Sequence, residues 1–235
     1  MFYPYFYGYY DPAYLFIMIV SLVVMLIAQG LVKGRYSKYS KINNLRNLTG
    51  ADAAKAVLNS AGVFGVTIEH VGGTMTDHYD PKTNTIRLSE GVYNSTSIAA
   101  IGIAAHEAGH AVQYAKNYAP IKVRMAIVPF AQYGPIVGIL LMFIGLFLNY
   151  FNLIVIGLIL FGATFFFQMV TLPVEFNASR RALSAIKDNN LLYDEEYSGA
   201  KKVLTAAALT YVAAMVQSFL TLLYYIIRFT GNRRD

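Results

Sequence analysis

The chain has 235 residues, of which 56% are hydrophobic and only 14% charged, against roughly 25% charged in an average soluble domain. The net charge is +6 and there is no cysteine, which excludes disulfides, thiolate metal sites and a cysteine nucleophile. The composition is that of a membrane protein, and no basic stripe of the kind that binds nucleic acid is present.

In chain order, the Tyr-rich start over residues 1–12 reads as an interfacial aromatic belt, with Phe2 to Tyr10 also free to contact a partner. Four apolar stretches then meet the roughly 20 residues needed to cross a bilayer. They run over about 13–32, 127–148, 151–172 and 203–227. The first lacks a basic start and a small-residue cleavage pattern, so it is expected to be a retained span. Only Asn149-Tyr150 separates the second from the third, which predicts a tight hairpin over 127–172.

Two polar segments lie between the spans. In the first, 33–126, Thr49-Gly-Ala-Asp52 predicts a capped helix that ends at Gly62. Strands are predicted over 66–71, 74–79 and 85–88, with a turn at Asp80-Pro81-Lys82-Thr83-Asn84. Asn94-Ser95-Thr96-Ser97 offers caps for a further helix that reaches about Ala115. In the second, 173–202, Pro173 is expected to open a helix that runs to about Lys187. Asp194, Glu195 and Glu196 read as the acidic first turn of an exposed helix leading into span four. Residues 228–235 form a basic tail. The expected fold is a mainly α membrane protein, about four transmembrane helices with a small α+β domain.

The two polar segments hold 16 of the 19 Lys and Arg residues. The excess of basic residues on cytoplasmic loops therefore puts both in the cytoplasm and the N-terminus outside. Four spans return the C-terminus to the outside, against its Arg228, Arg233 and Arg234.

His106 and His110 stand four apart on the predicted helix, so both imidazoles project from one face. Two nitrogens at that spacing suit two corners of a zinc tetrahedron, and bound zinc lowers the pKa of a water to about 7. Glu107 is the expected general base. A third protein ligand leaves the fourth position open. No His or Cys follows His110, so the ligand is expected to be a downstream carboxylate or an upstream residue. The carboxylates are Glu175, Asp188, Asp194, Glu195, Glu196 and Asp235. Asp188 sits at a helix end, the 194–196 acids suit an exposed first turn, and Asp235 is terminal. Glu175 remains, and the hairpin returns it to the side of His106 and His110.

His106-Glu-Ala-Gly-His110 with the later run Glu175-Phe-Asn-Ala-Ser-Arg180 resembles the Glu-zincin membrane proteases of the HtpX and CAAX-prenyl-protease type. The run Asp77-His-Tyr-Asp-Pro-Lys-Thr-Asn-Thr-Ile-Arg-Leu-Ser89 followed by His106-Glu-Ala-Gly-His-Ala-Val-Gln113 more closely resembles the bacterial YugP-type neutral zinc metallopeptidases. That resemblance covers nearly the whole chain and its span arrangement. It implies zinc, one Zn²⁺ per chain, peptide-bond hydrolysis and the bacterial cytoplasmic membrane. The spans and the Lys and Arg distribution give a multi-pass chain whose active site is expected to face the cytoplasm. The HtpX pattern has an Asp four residues after the ligand Glu, where this chain has Ser179. A hydroxyl there can still hold an imidazole N–H, without supplying charge.

His78, Tyr79, Asn177 and Arg180 are further candidates for the oxyanion or for substrate, with Arg181 beside them. His70 reads as structural, and the 77–88 strand region suits edge addition of an extended substrate. The expected partners are membrane-protein or peptide substrates and the lipid bilayer, with a partner membrane protein or a second copy left open. The alternative reading is a zinc-bearing membrane scaffold or adaptor with little proteolytic activity, which Glu107 argues against. A channel ranks last, because the spans carry almost no ionisable residues.

Overall fold

The computed structural model describes residues 11–230. The Tyr-rich residues 1–10 and the tail residues Arg233, Arg234 and Asp235 lie outside the described residues. Seven helices and three strands are described: α1 Pro12–Tyr39, α2 Gly50–Ser60, β1 Thr67–Val71, β2 His78–Asp80, β3 Thr85–Ser89, α3 Glu90–Tyr93, α4 Ile98–Ala115, α5 Ala119–Phe147, α6 Phe151–Asp188 and α7 Asp194–Thr230. Four of them, α1, α5, α6 and α7, are long and apolar enough to cross a membrane. The protein is mainly α, with four candidate spans and one small three-stranded sheet.

Two compact units divide the chain. The first comprises residues 11–27, 123–171 and 210–230 of the described chain. In it α5 and α6 pack through small residues, as apolar helices do when backbones must approach. A Cβ on Gly134 would meet the Leu160 carbonyl oxygen at 2.6 Å, and one on Gly138 the Gly157 oxygen at 2.5 Å. Asn149 turns the chain between the two helices at φ 51°, a left-handed conformation that Asn tolerates. Tyr224 donates a hydrogen bond to Asp11 at 2.9 Å, which ties the start of α1 to α7.

The second unit, residues 28–122 and 172–209, contains the sheet and α4. Thr49 caps α2 in the expected reciprocal arrangement with Asp52. Ser97 caps α4 by accepting from the Ala100 N–H at 3.2 Å. The strand order is β1-β3-β2, with β1 parallel and β2 antiparallel to the central strand. Ile86 and Leu88 of β3 are fully buried. Arg87 on β3 lies 3.1 Å from Asp80 and 3.6 Å from Glu69, so one cation bridges both flanking strands.

Three expectations change. The second strand is shorter than 74–79, because Gly73 at φ 103° and Met75 at φ 58° interrupt extended backbone. Asp77 instead accepts from the Ser89 N–H at 2.7 Å and its hydroxyl at 3.0 Å. Pro173 does not open a helix: α6 runs unbroken through it, with helix-forming residues on both sides. Glu196 is not an exposed first-turn acid. It is 7% exposed and accepts from the Leu45 N–H at 2.7 Å and the Tyr193 N–H at 2.9 Å. That carboxylate joins the start of α7 to the segment after α1. Asn44 in the same segment bonds the Thr96 carbonyl just before α4.

Glu196→Ala leaves two backbone N–H groups without their acceptor, so it is expected to destabilise the chain by about 1–3 kcal/mol. Thermal unfolding in detergent measures it. Unchanged stability would show that Glu196 does not join these segments.

Candidate metal centre

α4 is built from small residues around its two histidines. Ala104, Ala105 and Ala108 are fully buried and Ala111 is 1% exposed. On α6, Val174, Ala178 and Ala182 are fully buried. Gly109 is the contact that sets the spacing, since a Cβ there would lie 2.7 Å from the Ala178 carbonyl oxygen. The missing side chain lets α6 approach.

At this crossing His106, His110 and Glu175 offer ligand atoms that all lie within 4.8 Å of one another. Glu175 Oε2 is 3.3 Å from His106 Nε2 and 3.5 Å from His110 Nε2. These separations exceed the roughly 2.9 Å of an ordinary N–H···O bond. They match the edge of a tetrahedron with metal–ligand bonds of about 2.0–2.1 Å, which is about 3.3–3.4 Å. Side-chain exposure is 14% for His106, 12% for His110 and 3% for Glu175. The donor set of two nitrogens and one oxygen fits zinc with one position open.

The other nitrogen of each imidazole is held. His106 Nδ1 lies 3.0 Å from Ser179 Oγ and His110 Nδ1 lies 3.0 Å from Gln113 Oε1. The second contact has a fixed sense, and it can be followed from one end. The Arg181 guanidinium only donates, so its 2.8 Å bond from Nε makes Asn177 Oδ1 the acceptor. Gln113 Nε2 donates to that same oxygen at 3.0 Å and to the Val174 carbonyl at 2.8 Å. The remaining Gln113 oxygen can only accept, so His110 carries its proton on Nδ1. Neutral His110 therefore presents a lone pair on Nε2 toward Glu175.

Both His110 and Glu175 lie outside the apolar spans as read from sequence. Burial works against charge on each. The facing partner outweighs it, so His110 sits above the ordinary imidazole value and Glu175 below the ordinary carboxylate range. Glu107, half-buried on the same helix, adds to the upward pull on His110.

The remaining candidates fall in several places. Tyr79 packs its ring 5.5 Å from Tyr114 of α4, and its hydroxyl donates to Asn84 at 2.8 Å. His78 is exposed on edge strand β2, with Nδ1 2.8 Å from the Thr76 carbonyl. Asn177 serves the relay to His110. Arg180 is exposed. Exposed His70 meets the edge of Tyr93 at 5.9 Å. Gln113 is the residue that sequence reading missed. It stands three positions after His110, a spacing that puts it one turn along the same face.

Two imidazoles and a carboxylate at tetrahedral spacing, in a chain with four helices able to cross a bilayer, define the class of membrane proteins with a metallopeptidase-like centre. The chain belongs to the family described as "Putative neutral zinc metallopeptidase", which matches residues 14–230. It is 44% identical over 222 residues to "Putative membrane protease YugP" of Bacillus subtilis (strain 168), covering 94% of this chain and 99% of that protein. No solved structure matches it.

Gln113→Leu removes the acceptor that orients His110 while keeping a similar volume. Zinc affinity is expected to fall about 10–100-fold, the usual effect of losing an outer-shell partner. Competition with a chromogenic chelator measures it, and an unchanged affinity would remove Gln113 from the site.

Proposed function

We propose that this chain is a zinc-dependent endopeptidase of the bacterial cytoplasmic membrane, multi-pass, that cleaves membrane proteins or peptides at the cytoplasmic face. The observation that carries the reading is the convergence of His106, His110 and Glu175 with Glu107 next to the first imidazole. His106 Nε2, His110 Nε2 and Glu175 Oε2 would hold one zinc ion per chain. When bound, zinc acts as a Lewis acid that polarises the scissile carbonyl and makes water acidic near neutral pH.

The chain's own residues supply the rest. Ser179 and Gln113 keep the imidazoles turned so that their Nε2 atoms converge. The Glu107 carboxylate takes a proton from the attacking water and returns it to the amide nitrogen that leaves. β2 is an edge strand, and Tyr79 sets it against α4, which supports an extended substrate adding to that edge. His78 and Arg180 are exposed and suit contact with substrate or its oxyanion.

The cytoplasmic orientation is supported by the basic residues of the two polar segments. Glu175 stands three residues beyond the apolar run that ends near Leu172. That short spacing favours substrates presented close to the bilayer, in loops or tails of membrane proteins. The scaffold reading is less well supported. A structural zinc site closes with four protein donors, whereas the cluster among the described residues has three.

Glu107→Gln is expected to retain zinc and to lose peptidase activity by about 10²–10⁴-fold. Cleavage of a membrane-anchored reporter peptide by purified protein, with zinc content measured in parallel, checks both. Wild-type cleavage by the variant would rule out Glu107 as the base.

A further inference from the structure

Within the second unit, α1 and α7 flank a groove of about 390 Å³ that has no part in the metal centre. Three cations line it: Arg35 from α1, and Lys201 and Lys202 from α7. Ser198 and Thr205 add hydroxyls, and no acidic residue contributes. Among the described residues none of the three cations makes an ion pair. All three are exposed. Their mutual repulsion is relieved by an anion with several acceptor oxygens.

The groove's polarity has a direction. On α1 the apolar run ends near Val32, so Leu31 lies on its apolar side and Arg35 one turn beyond. On α7 the apolar run begins near Val203, so Lys201 and Lys202 precede it and Leu209 lies within it. Both helices thus put their cations on the polar side of the same boundary and a large apolar side chain on the other. Leu31 and Leu209 are exposed at 40% and 42%. An inorganic anion would satisfy the cations and leave these leucines unused. A phospholipid has an anionic head and apolar tails in the same order. A zwitterionic head would bring its ammonium group to a site with three cations and no carboxylate.

We propose that this groove is a binding site for an anionic phospholipid of the surrounding membrane, with its phosphate held by Arg35, Lys201 and Lys202 and its acyl chains against Leu31 and Leu209. Basic pockets between membrane helices bind such headgroups by the same combination of charge and apolar contact. The site is separate from the reading of catalysis, since none of its residues touches the metal cluster. Ala200, beside Lys201, does pack against Gly102 of α4, where an added Cβ would sit 3.4 Å from its Cβ.

Native mass spectrometry of the detergent-purified full chain tests this, with phosphatidylglycerol, phosphatidylcholine or inorganic phosphate added. Phosphatidylglycerol is expected to bind in preference to phosphatidylcholine, and millimolar phosphate is expected not to displace it. Arg35→Gln and Lys202→Gln should each weaken binding about fivefold, and the triple variant with Lys201→Gln about a hundredfold. The same charge change at exposed Lys55, Lys82 and Lys116 should leave binding within about twofold. Retained zinc shows that each variant is folded, and the single variants carry the test if the triple does not fold. Equal loss in the control variant, equal binding of phosphatidylcholine, or displacement by phosphate would each overturn the proposal.

Discussion

The backbone contact between Gly109 and Ala178 is the constraint on which the metal centre depends. Any side chain at position 109 would meet the Ala178 carbonyl, a group fixed inside α6 that cannot move aside. With hydrogen there, α4 and α6 come close enough for Glu175, one turn before Ala178, to face both imidazoles at 3.3 and 3.5 Å. A side chain at position 109 would push α6 away and separate the ligands.

What holds the imidazoles is uncharged. Ser179 and Gln113 occupy the positions beyond Nδ1. Neither adds negative charge, so they orient the rings without strengthening them as a carboxylate would. The direction of the network comes from further away. Arg181 sets Asn177, Asn177 sets Gln113, and Gln113 sets the proton on His110. Arg181, which sequence reading sets beside the substrate and oxyanion candidates, therefore acts on the site through two amides.

Much of this was legible in the chain. The four apolar runs are long and continuous, and the His106-Glu-Ala-Gly-His110 spacing follows from helix geometry alone. Glu175 and Ser179 emerged from elimination and from a family resemblance, and both stand beside the imidazoles in the structure. The misses share a physical cause. Whether Pro173 begins a helix or lies within one depends on what flanks it, and local propensity reads only the missing N–H. Glu196 looked like a surface acid because a first-turn carboxylate is favourable there in any case. Only the fold brings the Leu45 N–H to it, from 151 positions away. Gln113 lay in plain view one turn after His110, but its partners Val174 and Asn177 are more than sixty residues distant.

The crossing of α4 and α6 brings His106, His110 and Glu175 to positions that would hold a single zinc ion. Zinc affinity of the purified chain, measured for wild type beside Glu175→Ala and Gly109→Ala, tests it most directly. Wild type is expected to bind tightly and both variants to lose more than about a hundredfold, beyond what losing a partner behind an imidazole produces. Wild-type affinity in Glu175→Ala would place the third ligand elsewhere and rule out this three-residue site.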